Sequence, residues 1–360
     1  VDVVIMDTGV QPDHPEFEDA NGVSRVKQID WYAVAGLPNP GVNMVDHYTD
    51  QDGHGTHVAS SVAGKKFGWA KNADIYSMKI DISSGTAQIS TSPDVNGNSA
   101  FDLLRLWHQN KGNNRPTVIN MSWGWFVNTN PFLNPVELHG VYTVSSITYR
   151  GVTTNTGDRT NLQRRGFTAN YNGMPYRDDT EDAELDDLLL SGVHVVIGAG
   201  NSKYSVDVPS GPDYNNYVNV GGYGPPLYYH RGATPHSEKA INVGALSVIR
   251  IQTGGNTQDQ KAYDTSDFGS TLSWGSNTGP GVDLYAAGQE IIGAVPNGKG
   301  TQYHYDSNFR QDKYEGTSMA SPQVAGMVAC LLQAHPTWTP AQVKNYMITS
   351  ATDDMRDSHI

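Results

Sequence analysis

Short, nearly continuous apolar runs recur along the chain at residues 1–6, 73–80, 117–121, 193–199 and 240–246. Runs of this kind read as strands buried on both faces, as in a parallel sheet. Between and after them lie helical patterns at 55–64, 100–109, 181–191 and 317–334, with another over 336–347. The alternation predicts an α/β fold, a doubly wound and mostly parallel sheet with helices on both faces. In such sheets, sites form in the loops at the carboxyl ends of strands. Asp7 directly follows the first run, Ser122 the third and Asn201 the fourth.

Two stretches break the rhythm. Residues 125–180 are polar and rich in Asn, Thr, Tyr and Arg, and residues 202–239 are rich in Gly, Pro, Asn and Tyr. Both exceed the ~4–6 residues of an ordinary connection. They read as insertions on a single domain spanning 1–360, because neither has enough periodic apolar content for a core of its own. The first residues already read as a strand, with no initiator methionine or signal peptide, so the chain is expected to be a processed or excised piece.

Composition narrows the function classes. A net charge of −13, with 24 basic against 37 acidic residues, argues against nucleic acid, which requires clustered Lys and Arg. The longest apolar runs, such as 193–199 and 327–332, fall far short of the ~20 residues of a membrane span. The single cysteine, Cys330, excludes an intrachain disulfide. Its apolar surroundings, Gly326-Met-Val-Ala-Cys-Leu-Leu, predict a buried, inert thiol.

Three segments carry the chemistry: Asp7-Thr8-Gly9, His54-Gly55-Thr56-His57-Val58-Ala59 and Gly316-Thr317-Ser318-Met319-Ala320-Ser321-Pro322. Each alone is ordinary, as a strand-end turn, a structural histidine and a helix cap. Together they supply a hydroxyl, an imidazole to take its proton and a carboxylate to orient the imidazole. Their order, Asp, His, Ser, is that of subtilisin. The segments resemble the signature motifs of the subtilisin-like (S8) serine peptidases. His57 stands three residues from His54, but the metal-binding His-Glu-x-x-His pattern is absent, and His57 is assigned to the helix interior.

The resemblance implies a serine endopeptidase acting on protein or peptide substrates, with Asp7, His54 and Ser318 as its triad. Asn201, closing Val195-Val-Ile-Gly-Ala-Gly-Asn201, is implied as the oxyanion-hole donor. Ser122, Trp123 and Gly124 match the substrate-binding segment, with Gly198, Ala199 and Gly200 as the opposite wall. Trp123 reads equally as a core aromatic. No cofactor is implied for catalysis. The extended calcium loop is missing after His54, as in the proteinase K branch, whereas Asp283 matches a ligand for a structural calcium ion shared with carbonyls near Pro235. The resemblance favours a secreted protein with a propeptide. The rival reading is a catalytically silent interaction module in a larger assembly.

Overall fold

The computed structural model describes residues 1–80, 82, 88–130, 133–168, 173–253, 256–261, 274–352 and 355–356. Residues 131–132 and 169–172 of the first insertion lie outside the described residues. Among the described residues the central sheet has nine strands: β1 (Asp2–Asp7), β2 (Val26–Lys27), β3 (Asp74–Lys79), β4 (Thr117–Met121), β5 (His194–Gly198), β6 (Ile241–Thr253), β7 (Asn256–Lys261), β8 (Leu284–Ala287) and β9 (Met355–Arg356). From β2 the path runs through β3, β1, β4 and β5 to β6, every neighbouring pair parallel. Next to β6 lie β8, parallel, and β7, antiparallel.

Alternation along each strand explains why these runs are apolar at almost every position. Val3 and Ile5 of β1 join one core cluster, while Val4 and Met6 join the other. In β4 Val118 faces the first side and Ile119 and Met121 the second; in β5 Val196 opposes Val195 and Ile197. A strand covered on both faces has no position to give to water.

Helices supply the two covers. On one face lie α2 (His54–Ala63), α6 (Thr317–Ala334) and α7 (Pro340–Ser350); on the other lie α1 (Trp31–Ala35), α3 (Ala100–Asn110) and α5 (Asp179–Leu190). The fourth helix, α4 (Arg159–Gln163), belongs to the first insertion. The chain leaves β1 through α2 to reach β3 on one side, then passes through α3 to β4 on the other side of β1. The end of β1 is therefore a topological switch point, where a crevice opens between diverging connections.

Helix boundaries follow local chemistry. The last helix was expected from 336 but starts at Pro340, because Thr339 and Gln342 form a reciprocal capping box and proline suits a first helical turn. The predicted strand at 240–246 continues to Thr253, its extension paired antiparallel with β7. Cys330 is exposed, contrary to the expectation of a buried thiol. On α6 the positions Val324, Ala325, Val328, Ala329 and Leu332 face the core, and residue 330 falls outside that stripe.

The insertions cooperate across a long stretch of sequence. Tyr142–Tyr149 pairs antiparallel with Tyr217–Val220, Ile147 opposite Val218, within a separate five-stranded sheet. Val127, Leu138, Phe167 and Met174 from the first insertion bury against Tyr204, Val218, Leu227 and Tyr229 from the second. Neither stretch holds this core alone, but the two together do.

Packing between α2 and α6 depends on one missing side chain. A Cβ on Gly326 would lie 2.6 Å from the Val62 carbonyl oxygen and 2.9 Å from Trp69 Cβ. Gly326→Ala is therefore expected to lower stability by ~1–3 kcal/mol, as overpacking does. Denaturant unfolding checks this, and an unchanged midpoint would show that the helices have room to spare.

Candidate active site

Asp7 ends β1 fully buried, and its Oδ1 accepts from the Thr8 N–H at 2.8 Å and lies 2.8 Å from His54 Nδ1. His54 opens α2 and keeps a quarter of its side chain exposed. Burial lowers the imidazole's pKa, but the Asp7 charge and hydrogen bond, with Asp52 and Asp50 farther off, leave it above the ordinary histidine value. Nδ1 facing a carboxylate carries the proton, leaving Nε2 as the basic nitrogen.

The approach of α2 to β1 requires Gly55. A Cβ there would sit 2.1 Å from the Gly9 carbonyl oxygen and 3.2 Å from Asp7 Oδ1. A second buried carboxylate, Asp50, fixes the same junction. It accepts from Thr8 Oγ1 at 2.9 Å, Gly53 N at 2.8 Å, Thr56 N at 2.8 Å and Thr56 Oγ1 at 2.7 Å. Thr8 Oγ1 in turn accepts from Gly55 N at 2.8 Å. The Gly53 cap has no side chain, and Asp50 takes over its task of satisfying an early helix N–H. Burial pushes the Asp50 carboxyl above its usual range, against these donors. Sequence reading passed over Asp50 and Thr8, although Thr8 stands inside the Asp-Thr-Gly motif.

His57 lies inside α2 as expected, Nε2 2.9 Å from the Ile291 carbonyl and the ring stacked on Tyr314 at 4.5 Å. Desolvation pulls its pKa down to about 4, so near neutrality it is an uncharged core residue.

Ser318 is the second residue of α6. Its Oγ donates to the Ser122 carbonyl at 3.0 Å, and among the described residues no hydrogen bond joins it to His54. Ser122 returns the contact, its Oγ donating to the Ser318 carbonyl at 2.9 Å. That carbonyl would ordinarily receive the N–H of residue 322, which is proline and has none. The Ser122 hydroxyl fills the gap.

Asn201 lies beyond β5, and its Oδ1 accepts from Thr317 N at 2.9 Å and Thr317 Oγ1 at 3.0 Å. It thereby caps α6 from another loop and holds the amide beside the Ser318 turn. Gly200 has φ +102, and a Cβ there would meet Asn277 Nδ2 at 2.6 Å. Buried Asn277 clamps this loop, donating to the Ala199 carbonyl at 2.9 Å and accepting from Tyr204 N at 2.9 Å. It is a further residue that sequence reading missed, for it belongs to no recognised motif.

A small cleft of about 80 Å³ opens beside Ser318, with Ser122, Trp123 and Gly124 on one side and Gly198, Gly200 and Asn201 on the other. Phe126 and Ala233, from the two insertions, also line it. Ala199 is placed between the two glycines by its N–H, which donates to the Val243 carbonyl at 2.9 Å. Trp123 packs against the core and borders the cleft at once. Among the described residues, the backbones of Trp123 and Gly124 make no hydrogen bond, while Trp125 N donates to the Thr234 carbonyl at 2.8 Å.

The Asp283 corner does not suit the calcium ion that the resemblance implies. Asp283 Oδ2 accepts from the Lys344 ammonium at 2.8 Å and from Asn242 N at 2.9 Å. A cation is already present there in covalent form.

A profile of the subtilase family matches residues 1–360. Among curated proteins, the chain is 24% identical over 367 residues to subtilisin-like protease 8 of Arthroderma benhamiae, covering 99% of this chain and 51% of that protein. It is 25% identical over 365 residues to the subtilisin-like serine protease pepC of Aspergillus niger, covering 98% and 47% respectively. The chain thus spans about half the length of these curated relatives. A crystal structure of a cold-adapted subtilisin-like serine proteinase superposes with a TM-score of 0.52 at 20% identity, covering 99% of this chain and 84% of that one. At that identity the likeness establishes the fold. The match over all 360 residues does more: this chain belongs to the subtilase family.

Proposed function

We propose that the chain is a serine endopeptidase. The observation that carries the reading is the wholly buried Asp7 carboxylate 2.8 Å from His54 Nδ1, at the same carboxyl end of the sheet as Asn201 and as Ser122, to which Ser318 is bonded. The proposal extends to the whole protein from the family to which this segment belongs.

In the proposed reaction Ser318 Oγ turns from the Ser122 carbonyl toward His54. Resting hydrogen bonds in such sites are often loose and tighten with substrate. Oγ bonds to the scissile carbonyl carbon, its proton passes to His54 Nε2, and the carbonyl π pair becomes an oxyanion. The Asn201 amide and the Ser318 N–H, at the positive end of α6, donate to that oxyanion. His54 gives its proton to the departing amine as the C–N bond breaks. Water then repeats the sequence on the acyl-enzyme. Asp7 holds the imidazole's tautomer and balances its transient charge.

The cleft supports a reading of substrate class. A cavity of about 150 Å³ accommodates benzene, whereas this one is about 80 Å³ and has no charged residue in its lining. We read it as accepting small, uncharged side chains, with a peptide backbone pairing along Trp123 and Gly124 as an added strand. The family resemblance supports a secreted setting. No helix among the described residues is long and apolar enough to cross a membrane.

Three outcomes are expected. A fluorophosphonate should label Ser318, and Ser318→Ala should abolish labelling and lower kcat by a factor on the order of 10⁴–10⁶; a folded sample that takes up no label sinks the reading and favours a silent interaction module. Because His54 must be neutral to accept a proton and its pKa is raised, kcat/KM should fall with decreasing pH through an apparent pKa above about 6.5. A pH–rate profile with its acid limb below that value contradicts the assignment. Phe126→Ala should raise kcat/KM for aromatic over alanyl side chains at the cleaved bond by about 10-fold or more, as read from a matched peptide series. An unchanged ratio would remove Phe126 from the pocket wall.

A further inference from the structure

Lys344 reaches from α7 toward the edge of the sheet. Its Nζ donates to the Glu238 carbonyl at 2.7 Å, the Ala240 carbonyl at 2.7 Å and Asp283 Oδ2 at 2.8 Å. An ammonium has three donors and no acceptor, so this arrangement uses it completely. The pair is largely withdrawn from water, with side-chain exposures of 16% for Lys344 and 14% for Asp283.

The acceptors and the cation come from three separate places. Glu238 and Ala240 lie in the turn that leads into β6, Asp283 immediately precedes β8, and the cation comes from α7. Asn242 binds the first two together, its N–H donating to Asp283 Oδ2 at 2.9 Å and its Nδ2 to the Ser237 carbonyl at 3.0 Å. Two carbonyls and a carboxylate converging on one point carry negative potential that a cation must offset. Such hard oxygens are the donors calcium selects.

We propose that Lys344 is a tethered counter-cation that does the work of a structural metal ion at this corner. A metal ion's stabilisation of a fold depends on its free concentration c, as RT ln(1 + c/Kd). A covalently attached ammonium is present at every calcium concentration. The corner is therefore independent of calcium, and truncating Lys344 converts it into a divalent-cation site in which water completes the coordination.

Thermal unfolding of the full chain in excess EGTA and in excess calcium tests this, on a Ser318→Ala background that prevents self-digestion. The parent should melt at the same temperature in both. Lys344→Ala should melt about 2–4 °C lower in EGTA and regain at least half of the loss in calcium. Adding Asp283→Asn should remove the recovery. The proposal is overturned if EGTA lowers the parent's Tm and Asp283→Asn abolishes that sensitivity, or if Lys344→Ala is indifferent to calcium. Should Lys344→Ala not fold, Lys344→Met keeps the apolar stem for the same comparison. Calorimetric titration of the parent with calcium is an independent measurement: binding heat that disappears with Asp283→Asn refutes the tethered cation, and absence of binding heat supports it.

Discussion

Asp7 is sealed from water at the end of β1, and a carboxylate in that position must draw its donors from the chain. Among the described residues only Thr8 N and His54 Nδ1 reach it, both at Oδ1; Oδ2 is left without a partner. The demand for donors brings α2 against the strand, and the close approach in turn excludes any side chain at position 55. Asp50 secures the junction from the other side through Thr8, Gly53 and Thr56. The imidazole is therefore oriented by two buried carboxylates, one that touches it and one that sets the backbone beneath it.

Much of this was legible because buried parallel strands leave a strong trace. Val3, Val4, Ile5 and Met6 have no polar alternation because both sides of β1 are covered, and that pattern alone locates the central strands. Asp7, Ser122 and Asn201 were legible as strand-end residues for the same reason. Asp50 was not, because its role depends on donors that only the fold gathers around it, from Thr8, Asp52, Gly53 and Thr56, and an Asp four residues before a histidine has no distinctive pattern. Cys330 shows a related failure. Its neighbours are apolar because α6 is buried along most of its length, but the helical phase turns residue 330 outward. The Lys344–Asp283 pair joins residues 61 apart, and a lysine on a helix carries no mark of its partner.

The insertions were visible as interruptions, but not as partners of each other. Tyr142–Tyr149 and Tyr217–Val220 pair across an interval of chain that holds α5 and β5. Their shared core gives a rigid origin to Phe126 and Ala233, which reach the cleft from the two separate insertions. Part of the cleft wall thus comes from a unit outside the central sheet, while Asp7, His54 and Ser318 stand on β1, α2 and α6. The two can vary separately, as a common catalytic frame with exchangeable walls requires.

Pro322 leaves a missing rung in α6, and the hydroxyl that fills it comes from Ser122, 196 positions before Ser318, whose carbonyl it serves. The turn bearing Ser318 is therefore braced only where α6 is seated against the end of β4, by a tertiary contact and not by the helix's own ladder. An incompletely folded molecule thus holds the hydroxyl on an unsupported helix end.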